Sequence, residues 1–132
     1  MTAMGEWSDE QEVRIATESI SAYCVAVGEP PRAFDKGAAA PPMFAAVYSA
    51  AAIWQAVVAT VRGPGPLIHA AQEFEWFAPV RAGDRIATRA RLEAEGVKGI
   101  HRSLHFRSLS HNGRRELVTR GLWTILVPEG GL

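Results

Sequence analysis

Apolar residues recur along this chain at two different periods. Near the start they fall three and four apart. Ile20, Tyr23, Cys24 and Val27 make a single stripe, the pattern of an amphipathic helix. Thr17 stands where an N-cap belongs and Gly28 where a C′ glycine belongs. Upstream, Glu10 to Ala16 reads as a short first strand. Downstream, Glu29 to Pro42 holds four prolines, Gly37 and mixed charges, which predicts an ordered loop or lid. From Gly37 to Val61 there is no charged residue at all. A helix over Pro42 to Val61 fits this run, with Pro42 in the first turn, where a missing N–H costs nothing. Arg62-Gly63-Pro64-Gly65-Pro66 then breaks it. The stretch has the roughly 20 residues of a membrane span. Pro41-Pro42, Ser49, Gln55, Thr60 and the many alanines point instead to a helix buried in a protein core.

After the break the period changes to two. Ile68, Ala70, Phe74 and Trp76 share one face of a strand, and His69, Glu73 and Glu75 the other. Ala82-Gly83-Asp84 is a turn. Ile86, Thr88, Ala90 and Leu92 then alternate with Ala87, Arg89, Arg91 and Glu93. Past Gly96 and Gly99, Ile100, Leu104 and Phe106 alternate with His101, Ser103, His105 and Arg107. Asn112-Gly113 signals a two-residue hairpin. Leu117 to Val127 is apolar on both faces, as in a central strand or one buried at an interface. Strand, helix, loop, buried helix and four antiparallel strands describe an α+β chain of the hot-dog type, with one long central helix wrapped by an antiparallel sheet. A single domain over residues 1–132 accounts for the whole pattern. One such sheet leaves an apolar face uncovered, so a second copy or a similar subunit is expected to complete a double hot dog.

Composition narrows the function classes. Hydrophobic residues make up 48% of the 132, enough for a core and too many for disorder. The formal net charge is zero, which argues against nucleic acid or an anionic membrane as partner. The charge is skewed: residues 77–132 hold ten bases and five acids. That half either presents solvated strand arginines or attracts a phosphate-bearing or acidic partner. Arg89, Arg91 and Arg107 are the candidates for such a role. Cys24 is the sole cysteine, so no intrachain disulfide forms, and a reducing, cytoplasmic setting fits. The segment Met1 to Glu12 is acidic and lacks a signal-peptide pattern. His69, His101, His105 and His111 form no HExxH or zinc-type spacing, so no metal cofactor is expected.

Ile20 to Gly28 (ISAYCVAVG), Ala40 to Phe44 (APPMF), Ile68 to Phe77 (IHAAQEFEWF) and Pro79 to Ile86 (PVRAGDRI) together resemble the MaoC-like hydratase/dehydratase family. The resemblance is to its N-terminal, fatty-acid-synthase-like dehydratase type, and covers about residues 10–128. It implies reversible addition of water to a trans-2-enoyl thioester carried by coenzyme A or an acyl carrier protein, without any other cofactor. It also implies an Asp and a His in a Gly-Asp-x-Asn-Pro-(aliphatic)-His motif as the groups that activate the water. Backbone amides at the start of the central helix would polarise the thioester carbonyl. Here the corresponding run is Gly28-Glu29-Pro30-Pro31-Arg32-Ala33-Phe34. Glu29 takes the Asp place, Phe34 takes the His place, and the Asn is missing. Phenylalanine moves no proton, so the pair is broken. The chain therefore resembles the subunit of heterodimeric (3R)-hydroxyacyl-thioester dehydratases that shapes the acyl tunnel beside a catalytic partner.

Two other readings stay open. A homodimeric enoyl-CoA hydratase would need a non-standard pair, for which Glu29 and His69 are the candidates. An acyl-thioester-binding scaffold would need no chemistry. A thioesterase ranks lower, since no nucleophile or base pattern for one is present. Pro42, Met43 and Phe44 at the start of the helix, with Gln72 and Phe74 on the following strand, are the candidate substrate-binding residues. Each has an ordinary alternative: core packing for Met43 and Phe44, a hydrogen-bonded strand position for His69 and Gln72, and a solvated helix end for Glu29. Asp84 belongs to its turn.

Overall fold

The computed structural model of the chain describes residues 5–30, 39–61 and 65–128. A short strand β1 (Gln11–Arg14) leads into helix α1 (Thr17–Val27). A single 3₁₀ turn, Pro42–Phe44, opens the long helix α2 (Ala45–Thr60). Strands β2 (Ile68–Trp76), β3 (Arg85–Lys98), β4 (His101–His111) and β5 (Leu117–Pro128) follow. The five strands form one sheet in the order β1-β3-β4-β5-β2, and each neighbouring pair is antiparallel. This is the hot-dog fold that the pattern predicts.

Both helix ends follow from local chemistry. Thr17 is not the N-cap of α1; Ala16 is, and no side chain bonds the free N–H groups there. At the other end Gly28 takes a left-handed φ of 79°, and the Glu29 N–H closes back on the Cys24 carbonyl at 2.8 Å. That conformation strains any residue with a Cβ. The start of α2 is tighter than α-helical because Pro42 fixes φ and lacks a donor, so Phe44 N–H bonds the Pro41 carbonyl at 2.9 Å instead.

Helix α2 lies on the inner face of the sheet. Ala52, Ile53, Ala56 and Val57 pack with Ala90, Leu92, Leu104, Phe106, Trp123 and Ile125. Its first turns join a second cluster with Ile20, Cys24, Val80, Ile86 and Val118. The opposite stripe, Met43, Val47, Ala51, Trp54 and Val58, is exposed; Trp54 is 53% and Val58 72% accessible. The helix is therefore long and apolar enough to cross a membrane, yet one of its faces is the core of this fold. Its other face is apolar and uncovered.

The sheet departs from the alternation read in the sequence in several places, among them a register shift between Leu92 and Ala94 and an exposed turn at Ile100; two others bear on the sites. The first is a register shift in β2 between His69 and Ala71. His69 pairs with Ile125 and Ala71 with Thr124, leaving Ala70 as the extra residue. A one-residue bulge reverses the side-chain phase on one side of it. His69 is thereby placed on the same face as Gln72, Phe74 and Trp76, opposite the inward residues Ile125, Trp123, Gly121 and Thr119. Strict alternation would have sent His69 outward with Glu73 and Glu75. The second is the β4–β5 turn. Asn112-Gly113 does not make a two-residue hairpin. Asn112 Oδ1 accepts the N–H groups of Arg114 and Glu116 at 2.9 and 3.0 Å, and the left-handed residue is Arg115, at φ 64°. The Asn side chain supplies the turn contacts and moves the positive φ two residues on.

On the outer face, Arg107 pairs with Glu93 at 2.9 Å and Arg120 with Glu75 at 2.6 Å. Arg89 and Arg91 both lie over the Trp7 ring, at 4.9 and 4.4 Å from its centroid.

Candidate active site

The end of the long loop, the start of α2 and the β2–β3 connection come together at one end of the sheet. Ala40 N–H bonds the Val80 carbonyl at 2.6 Å, and Ala39 bridges to Arg81. Trp76 Nε1 donates to the Pro42 carbonyl at 2.8 Å. Between these segments is an open cavity of about 390 Å³, lined by residues 39–42, Tyr48 and residues 76–80. Its walls are alanine, proline, valine and aromatic rings.

The polar groups of that lining are already engaged. The Trp76 indole N–H is held by Pro42, and the buried Tyr48 hydroxyl bonds the Thr119 hydroxyl. Burial holds the Tyr48 phenol above its ordinary range, and the Thr119 bond offsets part of that shift. Tyr48 is thus a neutral, proton-keeping group near neutral pH. Among the described residues, the cavity is lined by no carboxylate and no imidazole. It can hold an apolar chain, but its own walls offer nothing that shuttles a proton.

The predicted site residues distribute unevenly around this cavity. Pro42 lines it and anchors Trp76. Phe44 turns away into the core, 2% exposed, with its ring 5.5 Å from Tyr23 and 6.2 Å from Tyr48. Met43 is on the exposed stripe. Phe74 packs against both core clusters and meets Trp76 and Trp123 at 6.0 and 5.5 Å. Gln72 is half-buried opposite Trp123. Glu29 is exposed just past α1. Its charge, after burial, helps to raise the neighbouring Cys24 thiol, and after burial and Cys24 it helps to raise the Tyr23 phenol. Phe34 lies outside the described residues.

His69 is stacked on Trp123 at 5.2 Å. It stands at the far end of β2, about 20 Å from the cavity at roughly 3.3 Å per strand residue. Glu29 neighbours Tyr23, which packs on Phe44 at the start of α2, whereas His69 belongs to the end of the sheet covered by the last turns of α2. Within one chain the two do not meet. Among the described residues, no group of three or more His, Cys, Asp or Glu side chains gathers as a metal site.

Tyr48 and Trp76, whose side chains carry the cavity's polar groups, are among the lining residues that sequence reasoning did not select. Tyr48 follows Phe44 by one helical turn, a signal that was present. Its hydroxyl partner, 71 positions away in sequence, was not foreseeable.

Fold and cavity together define a hot-dog protein whose apolar cavity opens at the start of the central helix. The chain belongs to the family described as the FAS1-like dehydratase domain region, whose model matches residues 2–118. Among solved structures it is similar to the R-hydratase PhaJ1 from Pseudomonas aeruginosa, at 22% identity and TM-score 0.70, over 99% of this chain and 85% of that one. It is similar to the HadBC (3R-hydroxyacyl-ACP dehydratase) complex from Mycobacterium tuberculosis, at 18% identity and TM-score 0.77, over 93% and 96%. It is similar also to a MaoC-like dehydratase from Rhodospirillum rubrum, at 20% identity and TM-score 0.65, over 99% and 96%. At these identities the likeness is one of fold alone. No curated protein matches in sequence.

Proposed function

We propose that this chain is the tunnel-shaping subunit of an (R)-specific enoyl-thioester hydratase, or 3-hydroxyacyl-thioester dehydratase, working beside a hot-dog partner that carries the Asp/His pair. The observation that carries this reading is the chemistry of the cavity wall. It is built to receive an acyl chain, and its two polar groups are both spent on protein contacts. Hydration needs one group to take a proton from water and another to deliver one to the α-carbon, each worth about 10²–10⁴-fold. With Phe34 at the His place and Glu29 in solvent, those groups must come from elsewhere. The uncovered stripe on α2 and the free edge of β2 supply the surface on which a similar subunit would pack.

The test is turnover of crotonyl and longer trans-2-enoyl thioesters by the purified chain, alone and with a dyad-bearing hot-dog subunit. The chain alone is expected to be slow or inert, and the pair fast. In the pair, Glu29→Gln is expected to change the rate little. Ordinary enzymatic rates from the isolated chain, abolished by Glu29→Gln or His69→Ala, would establish the homodimeric hydratase instead.

A further inference from the structure

The apolar cavity shares Ala78 and Pro79 with a second one of about 630 Å³ and opposite character. A wall two residues wide separates an oily space from a basic one. The second cavity is a groove between the β2–β3 connection, which contributes Arg81, Asp84 and Arg85, and the β4–β5 turn, which contributes Arg114 and Glu116. Three guanidiniums thus face two carboxylates, and both carboxylates are occupied. Asp84 accepts the Arg81 backbone N–H at 2.8 Å. Glu116 accepts from Arg114 at 2.8 Å and from Asn112 at 3.2 Å, contacts that hold its carboxyl below the usual range.

Arg85 and Arg114 are bound loosely, whereas Arg81 has a contact of its own. The Arg85–Glu12 pair is 3.1 Å long with side chains 69% and 58% exposed, and the Arg114 side chain is 84% exposed. Exposed pairs of this kind add little to stability, so the Arg85 and Arg114 guanidiniums can turn to a second anion at small cost. The backbone beneath Arg114 is firm by contrast, because the Asn112 side chain and the strained Arg115 fix the turn.

We propose that this groove binds the phosphate ester at the far end of the arm that carries the thioester, with Arg81, Arg85 and Arg114 as its ligands. The inference rests on the reading that the neighbouring cavity takes an acyl thioester. Arginine forks match phosphate oxygens two at a time, and charge-assisted bonds of this kind are about twice as strong as neutral ones. The acyl end lies against Trp76 and Pro42, the arm crosses Ala78 and Pro79, and the anion meets the arginines. The same ester occurs in coenzyme A and on the phosphopantetheine arm of a carrier protein.

The full chain, in its native assembly, is titrated by calorimetry with butyryl-pantetheine, butyryl-4′-phosphopantetheine and butyryl-coenzyme A. The phosphopantetheine thioester is expected to bind about tenfold or more tighter than the pantetheine thioester. The triple variant Arg81→Ala, Arg85→Ala, Arg114→Ala is expected to lose that advantage while keeping its affinity for butyryl-pantetheine. A further gain with coenzyme A that the triple variant also loses assigns the groove to that carrier; equal binding of the two phosphorylated ligands assigns it to a carrier-protein arm. Equal binding of the pantetheine and phosphopantetheine thioesters overturns the proposal and leaves the thioester cavity standing, as does an advantage that survives in the variant. If none of the three binds, the thioester reading itself falls and the groove's role with it.

Discussion

Phe74 lies over Gly121. A Cβ on Gly121 would meet the Ser108 hydroxyl most closely, then Phe74 Cε1 at 2.8 Å and Trp123 Nε1 at 2.9 Å. The two positions face each other across the β2–β5 ladder, and the ring fills the space that a side chain would otherwise take. The same gap lets Trp123 Nε1 donate to the buried Ser108 hydroxyl at 3.2 Å. One missing side chain thus seats an aromatic ring of the edge strand and satisfies an indole in the core.

Gly121→Ala is therefore expected to lower stability by about 1–3 kcal/mol, the usual cost of an inserted methyl in a packed core. Urea denaturation reads it as a lower midpoint at unchanged slope. Phe74→Leu in the same background should recover part of the loss. A neutral Gly121→Ala would mean that neither the Ser108 hydroxyl nor the Phe74 ring is fixed there.

Tyr48→Phe leaves the buried Thr119 hydroxyl without its partner and should cost about 1–3 kcal/mol. It should also change the alkaline limb of stability. The folded phenol is raised above its ordinary value of 10.0. Its contribution is full below about pH 10 and is lost as the pH climbs toward the folded value, because the unfolded chain releases the proton first. Stability measured from pH 8 to 11 should fall less steeply in the variant. Tyr23 and Cys24 are raised as well, so some slope will remain.

Much of this molecule was legible from period and punctuation. The uncharged run from Gly37 to Val61 marked α2, and the alternation in residues 86–92 marked β3, because burial on one face imposes the spacing directly. What escaped was set by single residues acting at a distance. Nothing in Ile68-His69-Ala70-Ala71 announces a bulge; the register of β5 beside it decides that Ala70 is extra and that His69 shares the face of Trp123, where it stays exposed. Asn112-Gly113 carried a correct turn signal with the wrong geometry, because the Asn112 side chain competes with the backbone for the turn's N–H groups. Of the residues singled out for the candidate site, Pro42 lines the cavity, whereas Phe74 packs against the core clusters instead. The engagement of Tyr48 was not legible, since Thr119 is far away in sequence.

Arg115→Gly should raise the melting temperature, with a gain of up to about 1 kcal/mol from removing a Cβ at positive φ. If Arg115 is left-handed because the turn demands it, then Arg115→Val should be worse than wild type. Equal melting temperatures for the three proteins would remove the strain.

Val58→Glu places a charge on the exposed stripe of α2, at a site 72% accessible in the single chain. It should leave the fold of the subunit intact, since Val58 is outside both core clusters. Light scattering at micromolar concentration should show a dimer for the wild type and mostly 14 kDa monomer for the variant. A monomeric wild type would end the reading in which a second copy of the chain covers this stripe.

Helix α2 comes before every strand that covers it except β1. At a synthesis rate of about 5–20 residues per second, the 68 residues from Val61 to Pro128 take roughly 3–14 s to emerge. Through that interval a helix that is apolar on both sides has no sheet beneath it. Its inner face must then wait for β3, β4 and β5 to pair over long sequence separations, which is the slow kind of folding. The arrangement that gives the finished domain its core is also the period of greatest exposure in the chain's life, when chaperone binding has the most to protect.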